Sequence, residues 1–348
     1  MKKLNIKRVM ICLIPCLLII IAVVWKVIPQ DNNTKVETTN EIKKEEKKKI
    51  QKTSITLSFA GDITMGNYVG QGNSGTFNQM YESVDPSYFL RNVKSVFEKD
   101  DLTIANMEGP ITTASKYAIK KFAFKGKPEY RNILKLGGVD VVTLANNHSQ
   151  DYFDQGMKDT KDNLDQVDIA HFGYNETTIQ EVKGKKIGFI GLSFPQEYGN
   201  MTKKLLEDLK DKTDLIVLYV HWGIERDEAP MSSQVDLAHR WIDEGVDLVI
   251  GSHPHVVQGI ETYKGKKIVY SLGNFCFGGN KNPSDKDSMI YQHTFEFEGD
   301  KIIKESSNVI PCSISSSSSR NNYQPTILKG SEKSRVEKKI EKRSQMIN

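Results

Sequence analysis

Short β-branched runs alternate with amphipathic stretches from residue 55 to residue 271, and that alternation constrains the chain to an α/β domain. Ile55–Ala60, Leu102–Asn106, Val139–Leu144, Lys186–Leu192, Leu215–His221, Leu248–Gly251 and Ile268–Ser271 read as strands. Tyr88–Glu98, Pro128–Leu136, Gln155–Gln166, Thr202–Lys210 and Ser232–Gly245 read as helices. Two alternating segments, Tyr291–Glu298 and Lys301–Pro311, read as an antiparallel hairpin that turns at Gly299 and Asp300. No internal repeat of fixed period is present.

The polar residues fall at one end of these strands. Asp62, Asn106, Asn146 with Asn147 and His148, His221, and His253 with His255 each sit at or just past a strand's C-terminal end, the edge at which open α/β sheets build sites. Singly, each has a plainer reading. Gly61-Asp62 suits a turn, Asn146-Asn147-His148 could bond loop backbone, and His221 alone suits a hydrogen-bonded core histidine. His253 and His255 are a stronger signal, because alternate residues of an extended segment share a face and two imidazoles can converge on one cation. Together, acid, amide and imidazole groups at five strand ends form the ligand set of a divalent two-metal site, able to acidify water and polarise a phosphoryl or acyl group.

Leu144-Ala145-Asn146-Asn147-His148, His221-Trp222-Gly223, Gly251-Ser252-His253-Pro254-His255-Val256 and Ser271-Leu272-Gly273-Asn274-Phe275, in that order, resemble the CapA or PgsA family of capsule-synthesis proteins. That family is linked to poly-γ-glutamate and is similar in fold to calcineurin-like metallophosphoesterases. The resemblance runs from about Ser54 to Pro311. It implies a metallophosphoesterase-type layered α/β sandwich holding one or two divalent ions, Mn, Fe or Zn. It further implies Asp62, Glu108, Asn147, His221, His253 and His255 as metal ligands, with Glu108 in the place of the bridging acid and His148 as the catalytic proton or transition-state donor. Asn106, Asn146, Asp151, Ser271 and Asn274 are candidates for supporting or substrate contacts, and Trp222 for packing or a pocket wall. One departure stands out: Thr64 occupies the position where the phosphoesterase motif carries a second ligand, usually His. Lys121 and Lys125 read as a solvated basic loop ahead of a polymer contact. Gly70 to Thr76 lacks the spacing of a phosphate loop and reads as a mobile surface loop or lid.

The ends of the chain differ in kind. Lys2, Lys3, Lys7 and Arg8 precede an uncharged apolar run, Val9 to Val24, which reads as an uncleaved signal anchor rather than a cleaved signal peptide or a lipoprotein signal at Cys16. The charge pattern places residues 1–8 in the cytoplasm, the span at 9–28 and everything beyond it outside the cell membrane. Residues 29–53 read as a charged stalk, 54–311 as the folded domain, and 312–348 as a serine-rich and charged solvated tail. Cys276 and Cys312, the two cysteines past the span, are expected to stay unpaired. A net charge of only +4, with the basic surplus near the ends, excludes a nucleic-acid stripe.

Three functions follow as expectations. The first is a membrane-anchored component of capsule or poly-γ-glutamate synthesis and export, acting on an anionic polymer beside synthetase subunits. The second is an extracytoplasmic metal-dependent hydrolase of a phosphoester or γ-glutamyl amide. The third is a non-catalytic scaffold. No Walker-type motif is present, so nucleotide-driven polymerisation falls to a partner synthetase.

Overall fold

Strand parity stacks the chain into layers in this computed structural model, which describes residues 52–194 and 199–347. In chain order the strands are β1 (Lys52–Thr64), β2 (Asn67–Tyr68), β3 (Leu102–Met107), β4 (Phe124–Lys125), β5 (Val141–Thr143), β6 (Ala170–Phe172), β7 (Thr178–Val182) and β8 (Lys185–Ser193). They continue as β9 (Leu215–His221), β10 (Leu248–Ser252), β11 (Ile260–Tyr263), β12 (Lys266–Val269), β13 (Asn274–Phe277), β14 (Asp287–Glu298), β15 (Lys301–Ser313) and β16 (Thr326–Ile327). The helices are α1 (Phe77–Ser83), α2 (Lys94–Phe97), α3 (Arg131–Gly137), α4 (Phe153–Asp165), α5 (Asn200–Lys210), α6 (Ser232–Asp243) and α7 (Gly330–Ser344).

One sheet runs β16-β15-β14-β1-β3-β5-β6, with β13 lying parallel to the end of β1; the other runs β11-β12-β10-β9-β8-β7. β9 shows why they stack. Leu215, Val217 and Tyr219 join an apolar layer with Ile55, Leu57, Phe59 and Ile104 of the first sheet, while Ile216, Leu218 and Val220 pack beneath Leu205, Leu209, Val235 and Trp241 of α5 and α6. On the far side of the first sheet, Ala60, Ala105 and Val142 pack beneath Ile133, Leu134 and Leu164 of α3 and α4. The product is a helix-sheet-sheet-helix sandwich, in which β9 and β10 are buried on both faces as in other helix-covered parallel sheets.

The hairpin forms as expected, and β14 pairs antiparallel to both β15 and β1. β1 runs from Lys52 to Thr64, longer at both ends than the expected strand Ile55–Ala60. The expected helix Tyr88–Glu98 is instead a 3-10 turn at Pro86–Tyr88 and the single turn α2, because Asp85 caps Ser87 and Pro86 starts a tight turn. The expected strand at Ile268–Ser271 ends at Val269, so Ser271 lies in a connecting loop.

The larger difference is at the C-terminal end, where residues 313–344 pack rather than trail as a solvated tail. Ser315 Oγ accepts from Asn322 N, and Tyr323 is buried against Phe77. α7 buries Val336, Ile340 and Arg343. Arg335 grips Asp287 with two bonds of 2.7 and 2.6 Å. Two apolar residues four apart signal a helix only weakly; the arginines supply the rest of the docking through tertiary partners. Cys276 and Cys312 are buried free thiols, and burial pushes Cys312 up to about 12.

Among the described residues no helix is long and apolar enough to cross a membrane. The expected cytoplasmic segment 1–8, the expected span at 9–28 and the expected stalk up to residue 51 lie outside the described residues.

Candidate metal centre

The same parity aims polar side chains into the gap between the sheets once the apolar residues run out. In β9, His221 follows Leu215, Val217 and Tyr219 on the inter-sheet face; in β3, Asn106 follows Ile104. β1 would turn Asp62 away, but Gly61 forms a bulge, with Ala60 opposite Ala105 and Asp62 opposite Asn106, which restores Asp62 to the inside. Only glycine fits at 61: a Cβ there would meet Gly273 O at 1.9 Å. Asp62 N then donates to that carbonyl at 3.0 Å.

His253 and His255 converge, though not as alternate residues of an extended segment. They lie in a turn after β10 with φ of 99° and 58°, left-handed values that non-glycine residues hold only when surrounding structure enforces them. The turn sends the two rings to different places. His253 joins His221 and Glu108 in one donor group, and His255 joins Asp62 and Glu108 in a second, with the donor atoms of each group within 4.8 Å of one another.

The fit of a divalent ion rests on Glu108. Its Oε2 accepts from Thr64 Oγ1 at 2.8 Å, while its Oε1 is buried without a hydrogen-bond partner, 3.6 Å from His221 Nε2 and 3.8 Å from His255 Nε2. A buried, unpartnered carboxylate oxygen between two imidazoles is costly unless a cation satisfies it. In the first group the remaining spacings are those of atoms sharing an ion: His253 Nδ1 lies 3.0 Å and Asn147 Oδ1 2.9 Å from His221 Nε2. In the second, Asn274 Oδ1 holds His255 Nδ1, which leaves Nε2, 3.8 Å from Glu108 Oε1, as the nitrogen free to bind. Ligands about 2.0–2.2 Å from one cation sit roughly 3–3.5 Å apart. Asn147 therefore adds a fourth donor to the first group, whereas the second has three, and Thr64 steadies the shared glutamate instead of offering an imidazole.

The electrostatics fit the same assignment. Burial, then the Asp62 charge, pushes Glu108 up to about 7. Burial would raise Asp62 too, but the His255 bond and the His221 and His255 charges outweigh it and bring Asp62 down to about 2. Burial opposes the charge on His255, yet Glu108 and Asp62 hold it up to about 10, while burial keeps His221 well below its usual range. In the protein alone, a proton on His255 thus supplies the positive charge that two buried carboxylates require. A divalent ion can replace that proton.

Around these groups the other predicted residues divide. Asn106 donates to Asp62 Oδ1 at 2.7 Å and is itself held by Asn146, 2.9 Å away; Asn274 Oδ1 is 2.9 Å from His255 Nδ1. His148 Nδ1 is 2.8 Å from Asp151 Oδ2, and Asp151 is ion-paired to Lys120. Ser271 holds only backbone, donating to Val256 O at 2.8 Å. Trp222 does not wall the cleft: the strand turns it to the opposite face, where it stacks between Trp241 and Tyr270. Lys125 braces local backbone at Ala114 O, and Lys121 lies over the Phe122 ring. The Gly70 to Thr76 loop is pinned by Asn67, Lys281 and Tyr323, so it is no lid.

Several contributors carry no sequence signal. A cavity of about 410 Å³ opens beside the centre, lined by His148, His255, Phe122, Phe124, Phe277 and Arg226. Its size suits a small ligand or one segment of a larger one. Arg343, from α7, donates to Val257 O, two residues past His255, and to Glu228 Oε1 at 2.6 Å.

The family model described as bacterial capsule synthesis protein PGA_cap matches residues 56–279. The PGA biosynthesis protein CapA of Bacillus subtilis is 32% identical over 267 residues, 69% of this chain and 67% of that protein. The capsule biosynthesis protein CapA of Bacillus anthracis is 28% identical over 343 residues, 90% of this chain and 77% of that protein. A solved phosphatase from Mycoplasma pneumoniae overlaps 75% of this chain and 95% of its own, at 18% identity and a TM-score of 0.44, too loosely to bear on function.

Proposed function

This chain belongs to the bacterial capsule synthesis protein PGA_cap family, and from that premise we propose that it is a membrane-anchored, extracytoplasmic factor of poly-γ-glutamate capsule synthesis and export that works through a metal-holding cleft. The observation that carries the cleft is Glu108, one carboxylate shared by two donor groups with a buried oxygen that has no hydrogen-bond partner among the described residues. Glu108, His221, His253 and Asn147 would hold one divalent ion, and Asp62, Glu108 and His255 a second, weaker one. The apolar run from Val9 to Val24 would tether the domain, and a synthetase at the membrane would deliver the polymer.

A hydrolytic reading is favoured by one further arrangement. His148 stands at the cavity rim with its ring fixed by Asp151 and edged against Phe124, 4.7 Å between centroids. The Asp151 contact orients Nδ1 and leaves Nε2 to hold or give a proton at a leaving oxygen or nitrogen. A divalent cation supplies polarisation of a phosphoryl or acyl oxygen and acidification of water. Asn106 and Asn274 keep Asp62 and His255 in place while Phe122 and Phe124 exclude solvent.

Elemental analysis of the full-length chain and of the His253→Ala/His255→Ala double variant tests the cleft. Stoichiometric Mn, Fe or Zn in the wild type and its loss in the variant is the expected result. Absence of metal from both after loading would leave only a polymer-binding or scaffolding role.

A further inference from the structure

We propose that Arg226 grips an anionic group, a carboxylate or a phosphate, of the molecule handled at the metal centre, an assignment that rests on the metal-cleft reading above. Arg226 lies in the loop between β9 and α6 with φ of 69°, a conformation that favours glycine. The same loop uses glycine at Gly223, φ 90°, where no long side chain is needed. A long side chain at such a position carries a backbone cost that its own contacts can offset.

Nothing within the fold needs that side chain. Arg335 and Arg343 each hold a carboxylate, whereas the Arg226 guanidinium has no ion pair or hydrogen bond among the described residues. Its root, by contrast, is fixed. Arg226 N donates to Pro254 O at 2.7 Å, the residue between His253 and His255, so the loop moves with the metal turn. The neighbouring peptide is fixed too, since the buried Gln258 donates to Asp227 O at 2.9 Å.

The cavity gives the side chain its task. Arg226 shares the space of about 410 Å³ with His148 and His255, between the rings of Phe122, Phe124 and Phe277. The inner end borders His255 and the proposed metal groups, and Arg226 adds a cation on the wall of the same cavity, so an anionic chain there would meet positive charge at both positions. A planar guanidinium binds either oxyanion through two parallel bonds, which lysine cannot do. Glu225 lines the same cavity beside His253 and disfavours the anion there, which leaves Arg226 as the cationic position of the rim.

Calorimetric titration of the full-length, Mn²⁺-loaded chain with a γ-linked glutamate pentamer, and separately with inorganic phosphate, tests the assignment. Arg226→Gln is expected to weaken binding by about 10- to 100-fold, the loss of one charge-assisted contact, with bound metal unchanged. A loss confined to the pentamer identifies a carboxylate; a loss confined to phosphate identifies a phosphate; equal losses identify a site for either. Arg226→Gly is expected to lose the same affinity while raising Tm by about 1–3 °C through relief of the backbone, which a structural role would not produce. Unchanged affinities in Arg226→Gln, or a metal-replete wild type that binds neither probe, overturn the assignment alone. A chain that takes up no metal and binds neither probe overturns it together with the metal-cleft reading.

Discussion

Replacing Arg343 with alanine tests whether the last helix belongs to the functional core. Arg343 is 3% exposed, and its two amino groups bond Val257 O and Glu228 Oε1. Its loss strands a buried carbonyl that now accepts from a charged donor, worth about 1.5–3 kcal/mol. The Glu228 side chain is 58% exposed and rehydrates, so that ion pair adds only about 0–1 kcal/mol. The expected cost is therefore about 1.5–4 kcal/mol. With roughly 2 cal/mol/K of unfolding entropy per residue over a domain of about 300 residues, the melting point falls by about 2–6 °C. Calorimetry measures the shift, and hydrogen exchange of the segment around His255 to Gln258 reports whether the metal turn loosens with it. Arg343→Met separates lost packing from lost bonding, since it keeps an aliphatic stem but makes neither the Val257 nor the Glu228 bond. A melting point within about 1 °C of wild type, with unchanged exchange at Val257, would refute the claim that α7 braces the site.

Thr64→Val should lower metal affinity by about 10- to 100-fold, because it removes the 2.8 Å bond that orients the shared glutamate; chelator competition measures this, and unchanged affinity would mean that Glu108 is held by other contacts. Asp287 sets an acid limit on α7. Burial opposes its charge, but Arg335 and Lys339 outweigh burial and hold its carboxyl below the usual range. Its contribution is then complete above about pH 4 and disappears as pH falls through the lower folded value. Arg335 is 45% exposed and solvent screens part of the effect, so the melting-point profile should show a modest acid-side fall that Asp287→Asn removes; an unchanged profile would disprove the coupling.

The strands could be read from the chain wherever both faces are apolar, as in Leu215–His221, because burial on two sides leaves an uninterrupted run. β6 and β7 escaped notice for the opposite reason. Ala170–Phe172 is only three residues long, and Thr178–Val182 is a half-exposed edge with polar alternation. The donor residues of the candidate centre were visible as types at strand ends, and the structure brings them together. Their mode of convergence was not visible: the left-handed turn at His253 and His255 and the bulge at Gly61 arise from contacts with Gly273, Ser271 and Asn274, distant in sequence. Arg226 and Arg343 belong to no motif, since the partners that give them meaning are backbone carbonyls and a cavity.

The position of β1 in its sheet bears on how the protein can be made. β1 is the first described strand to be synthesised, yet it lies between β3 and β14, and its pairing with β14 requires Asp287–Glu298. Until those residues exist, the apolar strand Ile55 to Phe59 has an open edge, the kind of surface on which nascent chains join one another. Synthesis must therefore pass Glu298 before the second edge of the first described strand is covered. Arg343, whose side chain donates to Val257 O beside the His253 turn, is made later than Glu298.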